Sequence, residues 1–396
     1  MSTKKVNIRV VQNFLYVSLI LAGLFVMVLI PHFNPVYASN FKPPNVIKLS
    51  TFEIGSSAYT AYGLIGEFMV KQYGTKLRLV PIASDVGRMT ALRAGTVQFI
   101  GEGPGGPFAI EGTSPIYSTT AWGPQNYMRV VWMPKHAGQS FVVRGNSNIQ
   151  TIADLKGKRI AITPGSYFEQ LAEAFLGFDG LTLNDVKIIS AASYSAGIKM
   201  VIDGSADTTI GMVTSPLFGE LQASPYGIRW LSKSDPNKYE KIREKVPFYV
   251  QSKITNGIGI SDKNPIMAST FPYPATLCSE NTREEDAYFL TKSIHEGYET
   301  FAKASPYMRD CWNLKEFLNF YENVEFAVLH KGTEKYLKEI GKWKPEYDNI
   351  QKTRLAYLNK LRKLWDDVIE ESADKKMTEK EVPKYWMKRR AEIFSK

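Results

Sequence analysis

From Val46 onward one pattern recurs: a short apolar run, a small polar loop, then an amphipathic stretch. Val46–Phe52 leads through Gly55-Ser56-Ser57-Ala58-Tyr59 into a helical pattern from about Thr60 to Tyr73. Leu77–Pro81 leads through Ala83-Ser84-Asp85 into a second helical pattern ending near Ala94-Gly95. Val97–Gly101 reads as a strand before Gly103-Pro104-Gly105-Gly106-Pro107. The pattern returns at Arg159–Thr163, Gly165-Ser166-Tyr167 and a helix over Phe168–Phe175. It continues at Val186–Ser190 with Ser193-Tyr194-Ser195, and at Thr208–Val213 with Thr214-Ser215-Pro216. Alternation between a period of two and a period of 3.6 predicts an α/β protein with mostly parallel sheets.

The same strand–Gly-Ser–helix opening in both halves predicts two α/β lobes. The polar stretch Gly138–Ile149 marks one crossing, and Asn256–Asn264, interrupted by Gly257 and Gly259, marks the return. The expected layout is lobe 1 over 46–140 plus 260–345, and lobe 2 over 141–259 inserted into it. Residues 284–303 and 305–329 read as amphipathic helices. A C-terminal helical extension follows over 346–396, where Tyr357, Leu361, Leu364 and Val368 form one stripe. Two lobes joined by two crossings leave a cleft that can close by hinge motion.

Before the lobes comes an address. Residues 1–13 are basic and polar, Phe14–Ile30 is uncharged, and Pro31 breaks the run. Val36-Tyr37-Ala38 places small or modest side chains before Ser39. This is the order of a secretory signal peptide over 1–38, and the run is also near the lower length of a spanning anchor. Cleavage after Ala38 and a retained anchor both fit. Either way the lobes are expected in the periplasm.

The 396-residue chain carries a net charge of +10, which invites a nucleic-acid reading. The distribution argues otherwise. Residues 1–38 hold +3 and residues 330–396 hold +6, which leaves +1 for 39–329. No nucleic-acid partner is expected, and the alternating charges of the C-terminal segment read as a solvated face. Two cysteines, Cys278 and Cys311, allow one disulfide or two buried thiols, and exclude a four-thiolate zinc site.

In open α/β sheets, ligands sit beyond the carboxyl ends of the strands. Here those ends carry hydroxyls and the free N–H groups of helix starts, a rim suited to a small organic anion such as a carboxylate or amino acid. The candidate ligand-binding residues are Gly55, Ser56, Ser57, Tyr59, Ser84, Asp85, Arg88, Gly165, Ser166, Tyr167, Ser193, Tyr194, Ser195, Thr214 and Ser215. Arg88 is the candidate partner of a ligand carboxylate. Each also has a plain structural role: Ser57, Ser84 and Asp85 are good helix caps, and Arg88 suits a surface ion pair.

Catalytic signals are thin. Gly103-Pro104-Gly105-Gly106 lacks the Lys-Ser/Thr of a phosphate loop, and no G-x-S-x-G elbow occurs. His136, His295 and His330 stand apart, without zinc-ligand spacing. No catalytic residue, metal or cofactor is expected.

Several segments resemble a known family: Gly55-Ser56-Ser57-Ala58-Tyr59, Ala83-Ser84-Asp85-Val86-Gly87-Arg88 with Leu92-Arg93-Ala94-Gly95, Asp154-Leu155-Lys156-Gly157-Lys158-Arg159, Asp203-Gly204 with Asp207, and His330-Lys331-Gly332 with Tyr336, Glu339 and Gly341. Together they are similar to the TAXI-type solute receptors of TRAP secondary transporters, over about residues 46–345. The resemblance implies a two-lobed periplasmic binding protein type II fold. It also implies a monomeric receptor that closes on a small organic anion and docks on TRAP membrane permease subunits. The sequence departs from the family where the first loop lacks the fuller glycine run and paired tyrosines, and where Gly87 stands in place of an Asn. Two other readings share the pattern: a secreted α/β enzyme, and a sensor that reports a ligand to a signalling partner.

Overall fold

The computed structural model describes residues 42–396, apart from 115, 136–137, 165, 325 and 395–396. The leader, its cleavage point, His136 and the candidate Gly165 lie outside the described residues.

Chain order follows the alternation. β1 (Val46–Thr51) runs to α1 (Ser57–Tyr73), β2 (Lys76–Pro81) to α2 (Asp85–Arg93), and β3 (Phe99–Glu102) to α3 (Gly105–Glu111) and then β4 (Met128–Trp132). The next segment holds β5 (Gln139–Arg144), β6 (Arg159–Ile162), α4 (Phe168–Gly177), β7 (Lys187–Ser190), α5 (Tyr194–Asp203) and β8 (Thr208–Met212). It ends with α6 (Gly219–Ala223), β9 (Ile228–Trp230), α7 (Pro236–Lys245), β10 (Val250–Ile254) and β11 (Ile266–Thr270). β12 (Ala275–Ser279) returns to the first sheet. Seven helices follow: α8 (Glu284–Glu296), α9 (Tyr298–Ala304), α10 (Pro306–Cys311), α11 (Leu314–Asn323), α12 (Lys331–Glu339), α13 (Pro345–Asp374) and α14 (Val382–Phe394).

The first sheet has the order β2-β1-β3-β12-β4. β1 pairs in parallel with β2 and β3, and β12 is antiparallel to β3 and β4. The second sheet has the order β10-β11-β5-β8-β6-β7, with β9 also on β5. β6 is parallel to β7 and β8, while β5 and β11 are antiparallel neighbours. The result is a mixed α/β arrangement of two sheets with a helical C-terminal extension. Gln139 and Ile266–Thr270 belong to the second sheet, so that sheet is wider than the 141–259 expected from turn residues. The antiparallel β10–β11 pair accounts for the difference: the 256–264 loop joins two strands of one sheet rather than two lobes.

Local chemistry explains the element ends. Ser56 caps α1 by accepting the Tyr59 N–H at 3.1 Å, and Gly74 ends that helix in the left-handed region. The second-lobe core gathers Val142, Ile198, Val201, Phe218 and Trp230. Gly211 lets Phe218 pack on β8, because a Cβ there would meet the ring at 2.2 Å. Burying a side chain of that size contributes about 1.5–3 kcal/mol.

The 284–329 region differs from expectation in having four short helices. The breaks fall at Gly297, at Ser305-Pro306 and at Asn313, which caps α11. The extension packs back on the first lobe. Trp386 donates its Nε1–H to the Gly112 carbonyl at 2.7 Å, and Arg390 pairs with Glu111 at 2.6 Å. Arg389 pairs with Glu371. These two arginines of the basic tail are therefore engaged within the chain. Cys278 and Cys311 are buried free thiols.

The His330–Gly341 motif proves structural. His330 Nδ1 accepts the Gly332 N–H at 3.1 Å and caps α12. Gly332 seats α12 against α8, since a Cβ there would lie 2.2 Å from the Glu284 carbonyl oxygen. Tyr336 meets His295 at 2.7 Å, and Glu339 accepts the Tyr288 hydroxyl at 2.7 Å. The Asp154–Arg159 run is similar in kind. Asp154 accepts the N–H groups of Gln150 and Thr151, and Arg159 pairs with Asp207 at 2.7 Å.

Candidate ligand site between the lobes

Residues 43–396 form one unit, and the loops at the carboxyl ends of both sheets meet in it. Gly55, at φ +87°, lies where a Cβ would come within 3.0 Å of Leu217. The first loop of one lobe therefore abuts the Thr214–Leu217 loop of the other. At Gly103, a Cβ would lie 3.3 Å from the Tyr167 hydroxyl, so the glycine permits a second close approach.

Two carboxylates of the first lobe, Glu53 and Asp85, reach across this seam and a third, Glu102, lies behind Asp85 on Arg88; Glu53 and Glu102 were not singled out from the sequence. Glu53 accepts the Ser195 backbone N–H and the Ser195 hydroxyl, each at 2.8 Å, at the start of α5. Asp85 accepts the Tyr167 N–H at 3.2 Å, just before α4. Both carboxylates sit where a helix start offers orphan donors and a positive dipole end. Glu102 holds Arg88 through two contacts, at 2.8 and 3.1 Å.

Arg88 is fully buried. It also pairs with Asp85, donates to the Ile82 and Ala83 carbonyls, and lies 3.8 Å over the Phe52 ring. This differs from the expectation that Arg88 meets a ligand carboxylate: its donors are already met within the protein. Burial pushes the Glu102 carboxyl up to about 7; Arg88 opposes that shift and Asp85 adds to it. Burial raises Asp85 as well, against the pull of Arg88. Burial works against the charge of Arg88, but Glu102 and Asp85 outweigh it and its pKa goes up.

The remaining candidates divide into caps and open hydroxyls. Ser84 is the exposed cap of α2, accepting the Gly87 N–H at 3.1 Å. Ser193 caps α5 through the Ala196 N–H at 3.2 Å. Ser166 donates to the Thr163 carbonyl at 2.6 Å. The Tyr194 hydroxyl accepts the Met212 N–H at 3.0 Å, and its ring stacks on Phe168. Tyr59 is half-buried in the first turn of α1. Ser57, Thr214 and Ser215 carry buried hydroxyl oxygens with no hydrogen-bond partner, as does Thr51 at the end of β1. Burial raises the Tyr273 and Tyr194 phenols, and the nearby Ser57 and Ser215 hydroxyls partly oppose that rise. Unmet buried hydroxyls of this kind are uncommon in a settled core.

Cavities open at and beside this seam, and the largest of them among the described residues, about 1060 Å³, lies between Phe108 and Glu111, Gln170 and Glu173, and the C-terminal Tyr357 and Arg390. Ser193 and Tyr194 line a void of only 10 Å³ inside the second lobe, too small for an organic solute. On the seam itself, a cavity of 140 Å³ lies between Asp85, Gly105, Phe108 and Tyr117 on one side and Ser166, Tyr167, Glu169 and Gln170 on the other. Three sequence candidates, Asp85, Ser166 and Tyr167, line it. Phe108, Tyr117 and Glu169 were missed because nothing in their local sequence distinguishes them from core or surface positions. Tyr117 is 2% exposed, and its hydroxyl has no partner.

Fold and seam together define an α/β architecture of two sheets whose loops face each other across a cavity. The chain belongs to the NMT1-like family, whose pattern matches residues 69–341. Among solved structures it is similar to the alkanesulfonate-binding protein SsuA from Xanthomonas axonopodis pv. citri bound to MOPS. That similarity has 15% identity, 79% of this chain and 84% of that chain covered, and a TM-score of 0.43. It is also similar to the periplasmic aliphatic sulphonate binding protein SsuA from Escherichia coli, with 18% identity, 66% and 73% covered, and a TM-score of 0.41. A third is an ancestral arginine-binding protein bound to arginine, with 15% identity, 71% and 98% covered, and a TM-score of 0.39.

Proposed function

We propose that this chain is an extracytoplasmic receptor that captures a small polar solute between its two lobes and hands it to a membrane transporter. The observation that carries this reading is the 140 Å³ cavity walled by both lobes. A cleft between lobes is a preferred site for small-molecule binding. Unmet hydroxyls at Thr51, Ser57, Thr214 and Ser215 along the same seam support it.

The signal-like leader supports a periplasmic location, and the segments shared with TAXI-type receptors support delivery to a TRAP permease by a monomeric receptor. Among the described residues, no helix is long and apolar enough to cross a membrane. Two of the helix-start donors that suggested an anionic solute are already taken, Ser195 N–H by Glu53 and Tyr167 N–H by Asp85.

The test is a melting-temperature screen of the purified chain against carboxylates, amino acids, amines and neutral polyols. One-site binding at a hundred times Kd stabilises by about 2.7 kcal/mol, so a binder is readily seen. Saturable stabilisation by a member of one class is expected. No stabilisation by any class, together with turnover of an ester or amide substrate, would contradict the reading in favour of a secreted enzyme.

A further inference from the structure

Building on the receptor reading, we propose that the solute is a cation, an organic amine or ammonium, seated in the cavity between Asp85, Tyr117 and Tyr167. Among the described residues, no Lys, Arg or His lines that cavity, whereas Asp85 lies in its wall and Glu169 at its exposed rim. Arg88 is not among the lining residues, because Glu102 and Asp85 hold it in the first lobe. Two of the N–H groups that could have met an anion are occupied by the protein's own carboxylates: Ser195 by Glu53 and Tyr167 by Asp85.

Tyr117 supplies an open ligand group. Its side chain is buried, it lines the cavity, and its hydroxyl oxygen has no partner. A phenol oxygen can accept an N–H, and each Asp85 oxygen has a lone pair left after its contacts with Arg88 and Tyr167. Phe108, Tyr117 and Tyr167 supply aromatic rings, which attract cations over their faces. At about 30 Å³ per water-sized group, the 140 Å³ cavity suits a cation of a few heavy atoms.

Titration calorimetry on the full chain with ethanolamine, choline, succinate and erythritol tests this. Saturable binding of ethanolamine or choline is expected, with none for succinate or erythritol. Glu169→Gln should weaken either cation by about fivefold, as loss of an exposed charge partner does. Tyr117→Phe keeps the ring and loses the acceptor, so it should weaken ethanolamine, which has N–H donors on its cationic centre, more than choline, which has none there. Saturable succinate or erythritol binding without cation binding would overturn the charge assignment and leave the receptor reading standing. No binding in any arm would overturn the cation assignment, and the receptor reading with it only if the wider melting-temperature screen also showed no stabilisation. Equal loss for both cations in Tyr117→Phe, with an unchanged melting temperature, would overturn the role given to Tyr117.

Discussion

Glu53, in the loop after β1, accepts two hydrogen bonds from Ser195 at the start of α5, 142 residues further along the chain and in the other lobe. The contact ties the lobes together through a charge-assisted pair of bonds. Such bonds contribute on the order of 1.5–3 kcal/mol when desolvated, and less where half-exposed. Glu53→Gln keeps one acceptor oxygen and loses the charge. We expect a melting temperature lowered by about 2 °C and a larger radius of gyration by small-angle scattering. An unchanged radius would show that Glu53 does not hold the lobes together.

The Arg88 cluster gives a pH signature. Two carboxylates, Glu102 and Asp85, share one guanidinium in a buried site. Glu102 is raised from 4.5 to about 7 on folding, so the folded state holds its proton more tightly than the unfolded state does. Its stabilising contribution is full below about 4.5 and is lost as pH rises through 7. Asp85, also raised, acts in the same direction. Glu102→Gln leaves Asp85 to balance Arg88. Urea unfolding at pH 5 and pH 7.5 should therefore show the parent losing stability relative to Glu102→Gln at the higher pH. A parent that gains on the variant over that interval would refute the assignment.

Gly332 predicts a purely structural defect. A methyl group there would stand 2.2 Å from the Glu284 carbonyl oxygen and 2.5 Å from the Tyr288 nitrogen, both of them backbone atoms of the helix it packs on. Gly332→Ala should cost about 1–3 kcal/mol through overpacking, and the solute affinity of the folded fraction should stay at the parent value. Weakened affinity at full folding would place the His330–Gly341 motif in the site after all.

The cysteines offer a simple check of packing. Burial raises both thiols, Cys311 to about 12. Thiolate is the reactive form, so both should resist maleimide at pH 8 in the native chain and react on unfolding. Two adducts in the native mass spectrum would contradict the buried, reduced state.

Much of the fold was legible because period and punctuation agree. The runs before Gly55, Ser84 and Ser193 became β1, β2 and β7, and the serines became helix caps. The β10–β11 pairing was not legible: Gly257 and Gly259 look like a linker, and register between distant strands leaves no local mark. At the site, the loops were legible and the partners were not. Arg88 looks like a ligand contact until β3 brings Glu102 beside it. Glu53 follows β1 in plain view, yet its role depends on the approach of α5. Sequence placed donors at the rim; folding placed the protein's own carboxylates on them.

Native mass spectrometry tests the central claim most directly. The purified chain would be incubated with the small-molecule fraction of a cell extract, desalted, and weighed intact and after denaturation. A receptor should show a single one-to-one adduct in the folded state that is lost on denaturation, and its mass would identify the solute. Only the bare polypeptide mass in both measurements would contradict solute capture between the lobes.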